Sequence, residues 1–389
     1  MNVQKIISLL PEGLLDELAE QTNVNRYAKK LRGELLFKLL LHCILSHKDN
    51  SLRTMESAFE SVAFRLLNTG KKNNSVRFSS ISERLNTINP DYFEKIYQTC
   101  IAIYGKRLPK QKQEVVLFDS TIVALSARLL QTGYCLKGGD AAHMRQLKFT
   151  IGFNGIPVSA HLYQHPSYTS EDVALRESIL NHPVTRANTI RIFDRGILSR
   201  KTHDTFTEQN IPFVSRIICN SKYEVIKKNS LPKPGETESL VLKSDRWIYL
   251  FSQGSIRTKY PVRCIAATKK STGEEIWFVS NIPDLTAAEI TTLYKQRWDI
   301  EVFFKFLKQE LNFSHLINRS ENGIRVILYA TLIAAIMLLV YKTTNQLNGY
   351  KIMKQKFVHD LEKSLLTTFV ELSGGNTKLA HKILYFNSS

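Results

Sequence analysis

The chain reads as a mixed α/β protein. An all-helical region comes first, then a sheet with flanking helices, and a β-rich insertion interrupts that sheet. Three observations predict this. The opening hundred or so residues carry helical periodicity. From Glu114 onward, short apolar runs, a hairpin signal and capped helices alternate. Over residues 219–282 sustained helical periodicity is lost, and it returns at Thr286.

The elements follow in order. Leu31–Ser46 is a long apolar-periodic run. Ser80-Ile-Ser-Glu83 has capping-box spacing and predicts a short helix through Asn86. Asn89-Pro90-Asp91 predicts the start of another helix, from Tyr92 to about Tyr104. A short helix, a tight link and a second helix resemble a helix-turn-helix, although small all-α units share that pattern. Lys71, Lys72, Arg77 and Arg84 nearby offer charge for DNA contact.

Val115-Val-Leu-Phe118 is a buried-strand pattern ending at Asp119. Leu147–Phe153 and Ile156–Leu162 flank Asn154-Gly155, a hairpin signal. Ser170 caps a helix running to about Leu180. Thr189–Phe193 is a second buried-strand pattern, ending at Asp194. A helix over about Ser199–Gln209 and a strand over Pro212–Ile218 follow.

In the insertion, Leu231-Pro-Lys-Pro-Gly235 reads as a turn. Trp247–Ser252, Tyr260–Thr268 and Glu275–Ser280 read as strands. Asp284 and Thr286 are candidate caps for the next helix. Val326–Tyr341 is a run of 16 residues, apolar apart from Thr331. A membrane span needs about 20 such residues, so a buried core helix is the better reading, with membrane association as its competitor. The expected division is 1–110 helical and DNA-binding, 111–218 catalytic core, 219–282 insertion, 283–345 remaining core, and 346–389 helical tail.

Composition narrows the partners. Hydrophobic content of 43% and charged content of 23% are ordinary, whereas a formal charge of +18 is not. Residues 1–110 carry 17 Lys+Arg against 11 Asp+Glu, and 214–282 carry 12 against 6, each a net +6. Positive charge spread over folded segments points to a polyanion, and suits a duplex lying across several of them. Cys43, Cys100, Cys135, Cys219 and Cys264 form no Cys-x-x-Cys pair, which argues against a zinc site or a disulfide framework. The first residues lack a secretory pattern, and a cytoplasmic setting is expected.

The chemistry concentrates on Tyr294-Lys-Gln-Arg297-Trp-Asp-Ile-Glu301, continuing to Lys308. Read as one helix at about 100° per residue, Arg297, Glu301 and Lys308 share a stripe with Tyr294 roughly 60° wide. Apolar Leu293, Ile300, Phe303, Phe304, Leu307 and Leu311 lie beside that stripe. Two strands end alike, Leu-Phe-Asp119 and Ile-Phe-Asp194, where open α/β sheets place ligands. Three carboxylates from separate elements can converge on divalent metal, whose charge relieves their repulsion. Oxygen ligands without His or Cys favour Mg2+ or Mn2+, and two such ions activate a nucleophilic oxygen and stabilise a leaving one. Each piece has a plainer reading. A strand-end Asp is often a cap or turn residue, and Arg297 with Glu301 is an i,i+4 pair. Their conjunction in a basic protein shifts the balance.

Tyr294-x2-Arg297-x3-Glu301-x6-Lys308 resembles the Tyr-Arg-Glu-Lys signature of bacterial insertion-sequence DDE transposases. Leu117-Phe-Asp-Ser-Thr121 resembles that family's first-acid motif, and Ile192-Phe-Asp-Arg-Gly196 its second. Many relatives follow the second Asp with Gly or Ala and soon an aromatic, whereas Arg195-Gly196-Ile197 stands here. The resemblance covers roughly residues 110–345 and implies an RNase H-like core with a β-strand insertion. It implies that Asp119, Asp194 and Glu301 bind two catalytic Mg2+ or Mn2+ ions. Tyr294, Arg297 and Lys308 would hold phosphates of the transposon end. An exposed ring of the insertion, Trp247 or Trp277, would stack on a displaced base, with core packing as the competing role. The implied partners are transposon-end DNA, target DNA and a second copy of the chain. An RNase H-like nuclease without strand transfer, and a catalytically idle DNA-binding protein, are the alternatives. Lys137-Gly-Gly-Asp140 lacks Walker spacing, His143 and His165 read as structural or surface residues, and Ser120 has no identified base.

Overall fold

The computed structural model describes residues 3–47, 50–68, 75–109, 113–125, 134–135, 145–183, 188–231, 235–252, 256–313 and 315–384. Lys71, Lys72, Lys137 to Asp140, His143 and 232–234 of the expected turn lie outside them. The chain forms two compact units. One comprises Met1–Pro109, Leu125–Thr132 and Lys305–Ser389, and the other Lys110–Ala124 and Gly133–Phe304.

The first unit opens with seven helices: α1 (Val3–Ile7), α2 (Leu14–Gln21), α3 (Gly33–Ser46), α4 (Leu52–Glu60), α5 (Val62–Leu67), α6 (Phe78–Thr87) and α7 (Asp91–Tyr104). α6 starts at Phe78 with Arg77 as its cap, so Ser80 and Glu83 lie inside the helix and form no capping box. Pro90 caps α7, and the Asn89 side chain accepts the Asp91 N–H at 3.1 Å. The α6–α7 pair is short and tightly linked, but its polar groups are used internally. Arg84 donates to the carbonyls of Leu31 and Val24. Tyr92, Phe93, Ile96, Tyr97, Cys100 and Tyr104 of α7 are buried.

The second unit is built on one sheet of ten strands. They are β1 (Val115–Leu125), β2 (Tyr134–Cys135), β3 (Arg145–Phe153), β4 (Pro157–Tyr163), β5 (Ile190–Phe193), β6 (Phe213–Ile217), β7 (Tyr223–Asn229), β8 (Leu240–Leu250), β9 (Val262–Lys269) and β10 (Glu275–Ser280). The order is β2-β3-β1-β5-β6-β10-β9-β8-β7, with β4 also paired to β3. Gly155 adopts φ 73° in the β3–β4 turn, a conformation that favours glycine after Asn. β1, β5 and β6 run parallel, and β6 to β7 across the insertion run antiparallel. The insertion therefore extends the sheet. β10 pairs the edge of β6 that would otherwise be left open. β7 was not foreseen, and β8 begins seven residues before its expected Trp247 start.

Helices α8 (Glu171–Leu180), α9 (Arg200–Glu208), α10 (Ala287–Lys295) and α11 (Trp298–Glu310) complete this part of the chain. The core joins Phe118, Phe193, Phe206, Phe213 and Val279 with Leu175 and Ile179 of α8. α10 opens with a full capping box, Thr286 with Glu289. In the insertion, Asp245 and Arg263, 3% and 5% exposed, form a two-bonded ion pair. Arg263 also donates to the Leu285 carbonyl, which ties the approach to α10 to β9.

The chain ends with α12 (Glu321–Thr344), α13 (Tyr350–Leu372) and α14 (Thr377–Leu384) in the first unit. α12 is long and apolar enough to cross a membrane, yet 94% of that stretch is buried inside the protein. It packs with α7, α3 and α6, and Arg325 pairs with Glu94 of α7 at 2.9 Å. The all-apolar helix is thus the core of a helical unit, which explains an apolar surface on every side. Residues 321–344 cluster with the N-terminal helices, whereas the expected division groups them with the sheet.

Candidate functional site

The β1–β5 ladder positions two acids. Its register runs from Val115 opposite Ile190 to Phe118 opposite Phe193. Asp119 and Asp194 are the residues that come next in the chain after this last pair. Asp194 follows the end of β5, as expected. Asp119 does not end its strand, since β1 continues to Leu125. It stands where β1 outruns its parallel partner. Both carboxylates are half-buried.

The Tyr294–Glu301 segment is not one helix. α10 stops at Lys295 and α11 starts at Trp298, with Gln296-Arg297 a tight turn between them. Backbone bonds there close over three residues, from Arg297 N–H to the Tyr294 carbonyl at 3.0 Å and from Ile300 to Arg297 at 3.3 Å. Tightening the turn moves Arg297 off the assumed 100° progression. Tyr294 is buried, packs edge-on against Phe278 of β10, and donates its hydroxyl to Asp194 Oδ1 at 2.9 Å. Arg297 lies over the Tyr294 ring at 5.7 Å and pairs with Glu301 at 2.6 Å. The buried Arg297 Nε has no hydrogen-bond partner. Lys308 lies further along α11, exposed, on the segment belonging to the helical unit.

The two aspartates differ electrostatically. Burial pushes Asp119 up to about 6, and the charges of Glu171 and Glu301 push the same way, against its Ser120 N–H bond and Arg297. Burial would raise Asp194 as well. The Arg195 N–H, the Tyr294 hydroxyl, Arg297 and Arg216 outweigh it and hold Asp194 below the usual value. Burial and Asp194 together drive the Tyr294 hydroxyl well up, so it stays a donor. Neighbouring acids whose environments drive their protonation apart are a recurrent feature of reactive sites.

Among the described residues, no three His, Cys, Asp or Glu side chains are drawn together tightly enough to hold an ion. Glu301 is engaged by Arg297, and Asp194 by Tyr294. The donor chemistry nevertheless fits a hard divalent cation. The donors are carboxylate oxygens, and Asp119 sits in a desolvated place with too little positive charge around it.

Sequence reasoning missed Arg216 of β6 and Glu171 of α8, which act on the aspartates from distant parts of the chain. Trp277 packs edge-on to Tyr223 and donates to Glu275, and Trp247 is half-buried. Trp298 is the exposed indole, at 63%.

The family model described as the transposase DDE domain matches residues 110–337, more than half of the chain. A relative from Geobacillus stearothermophilus, named as a transposase for insertion sequence element IS5377, is 30% identical over 49% of this chain and 53% of its own. One from Sinorhizobium fredii, named as the transposase y4zB, is 28% identical over 40% of this chain and 43% of its own. One from Synechocystis, named for insertion sequence element IS4SA, is 24% identical over 75% of this chain and 77% of its own. The chain thus spans about half the length of the first two relatives. The motifs around Asp119, Asp194 and Glu301 all fall inside the matched region, and the chain belongs to the transposase DDE domain family.

Proposed function

We propose that this protein is an insertion-sequence transposase that cuts the ends of its element and joins them to target DNA. The observation that carries the reading is that the β1–β5 register runs to Phe118 opposite Phe193, the residues just before Asp119 and Asp194, with the charge of Arg297 acting on both aspartates and that of Glu301 on Asp119. The core is RNase H-like: parallel β1, β5 and β6 beside the β3–β4 hairpin support that fold. Asp119, Asp194 and Glu301 would hold two Mg2+ or Mn2+ ions, which supply activation of the attacking oxygen and neutralisation of the leaving one.

The chain's own groups do the rest. In cleavage, a water oxygen bonds to phosphorus at the element end and the bond from phosphorus to the 3′ oxygen breaks. In joining, that 3′ oxygen bonds to a target phosphorus and the corresponding target bond breaks. Neither step leaves DNA attached to a side chain. Arg297 suits a phosphate clamp because its spare donors are preorganised by Tyr294 and Glu301. Tyr294 orients Asp194, and Lys308 would hold a phosphate of the DNA end. Two ends must be processed together, so the working form is a homodimer on DNA, in the cytoplasm beside the nucleoid. The net +6 of residues 1–110 supports DNA contact by the helical unit as well.

Glu301→Gln tests the reading with DNA carrying the inverted repeats that flank the reading frame. Cleavage should vanish while end binding persists. Unchanged cleavage would remove Glu301 from the chemistry. A product that is only nicked, with no joining of a pre-cut end, would assign a nuclease instead.

A further inference from the structure

Residues 22–33, the link from α2 to α3, hold four cations, Arg26, Lys29, Lys30 and Arg32, and no acid. All four are exposed, and none forms an ion pair among the described residues. Arg32 stands at the N-cap of α3, where its positive charge opposes the helix dipole and its side chain makes no capping bond. Tyr27 sits among these cations, 86% exposed, with its backbone at φ 66°. A bulky side chain in left-handed backbone is strained, and such strain persists only where the surroundings impose it. Arg26 lies over the Tyr27 ring at 5.1 Å, which keeps ring and guanidinium on one surface.

The surroundings do impose this conformation. Val24 and Leu31, 2% and 5% exposed, plug the link into the helices. Arg84 of α6 donates to both of their carbonyls, and Asn89 donates to that of Thr22 at 3.1 Å. Asn25 Oδ1 accepts the Gly33 N–H at 2.8 Å. A Cβ on Gly33 would stand 2.7 Å from Val24 Cγ1, so glycine at this position lets the link close. Arg84, expected from the sequence to meet DNA, is thus the staple that holds four other cations outward.

We propose that the α2–α3 link is a DNA-contact element: Arg26, Lys29, Lys30 and Arg32 hold backbone phosphates of a duplex, and Tyr27 lays its ring against a deoxyribose between them. The inference rests on the transposase reading above for its partner, DNA. Backbone contacts fix how a protein sits on a duplex and carry no base preference, so the link would grip the element end and unrelated DNA alike.

The test is fluorescence anisotropy with the full chain, without divalent metal, on two labelled duplexes over a salt series. One duplex carries the inverted repeats that flank the reading frame, and the other is unrelated in sequence. Lys29→Ala with Lys30→Ala should weaken binding about tenfold or more at 0.1 M salt, and make the log–log salt slope shallower by about 1.8, on both duplexes. Tyr27→Asn removes the ring but keeps a residue that accepts left-handed backbone. It should weaken binding several-fold with the slope unchanged, because the ring neutralises no phosphate. Lys351→Ala with Lys356→Ala, exposed on α13, should bind as wild type does. Equal loss in that control would overturn the assignment, since bulk charge would then suffice. Wild-type affinity and slope in the Lys29–Lys30 variant, with wild type bound to both duplexes, would overturn the role of the link and leave the transposase reading standing. A loss confined to the repeat-bearing duplex would overturn the backbone assignment. No binding of wild type to either duplex would overturn both readings. If the lysine variant fails to fold, Arg26→Gln and Tyr27→Asn decide: wild-type affinity in both overturns the proposal.

Discussion

Asp119→Asn should make this protein more stable at pH 8 while removing its metal-dependent activity. The Asp119 carboxyl stands at about 6 instead of its ordinary 3.8, first because it is buried and then because Glu171 and Glu301 repel its charge. The folded value lies above the unfolded one. This group's favourable contribution is therefore complete below the unfolded value and is lost as pH rises through about 6. At about 1.4 kcal/mol per pH unit, the gap amounts to roughly 3 kcal/mol at pH 8. Asparagine keeps the volume and an acceptor for the Ser120 N–H but has no charge to desolvate. Urea unfolding at several pH values measures the difference. The variant should exceed wild type by up to about 3 kcal/mol at pH 8, with the advantage vanishing near pH 4. Saturating Mg2+ should narrow the gap, because an ion bound only by the folded wild type adds about 2.7 kcal/mol at a hundred times its Kd. A variant weaker than wild type at pH 8, or a difference indifferent to pH, would refute the claim that this carboxylate is held against its preference.

Arg297→Ala frees Glu301 and removes a counter-charge from both aspartates. Calorimetry without DNA should show tighter Mn2+ binding, while end binding weakens and its log–log salt slope becomes shallower by about 0.9; an unchanged slope removes the phosphate clamp. Arg263→Leu strands the buried Asp245 charge and should destabilise the protein by about 3–5 kcal/mol in urea. Adding Asp245→Leu should restore most of that loss, and equal loss in the single and double variants would show that the pair matters only as packing.

What the sequence revealed is what local chemistry controls. Asn154-Gly155 announces its turn because few other residue pairs accept that backbone. Thr286 and Glu289 form their capping box within one turn. The apolar run at 326–341 reads as a core helix, and α12 buries that stretch inside the protein although the whole helix is long enough to cross a bilayer. The failures come from tertiary partners. β7 is exposed along most of its length, so no alternation of buried and open residues marks it. Asp119 lies mid-strand because β1 runs on to Leu125 after its register with β5 has ended, which four apolar residues do not disclose. The break at Gln296-Arg297 involves no glycine or proline, and the apolar period runs through it unaltered. Arg84 resembles a DNA contact until its carbonyl partners, more than fifty residues earlier, are in view. Glu171 sits in an ordinary helix start, and only the fold brings it to Gly196.

Iron-directed cleavage of the polypeptide would probe the centre most directly. Fe2+ bound in place of Mg2+, with ascorbate and peroxide, generates radicals that cut the backbone beside its ligands. The account predicts cuts clustered at three separated places, around Asp119, Asp194 and Glu301, that fade as Mg2+ is added. Cuts elsewhere, or a pattern that Mg2+ leaves unchanged, would contradict it.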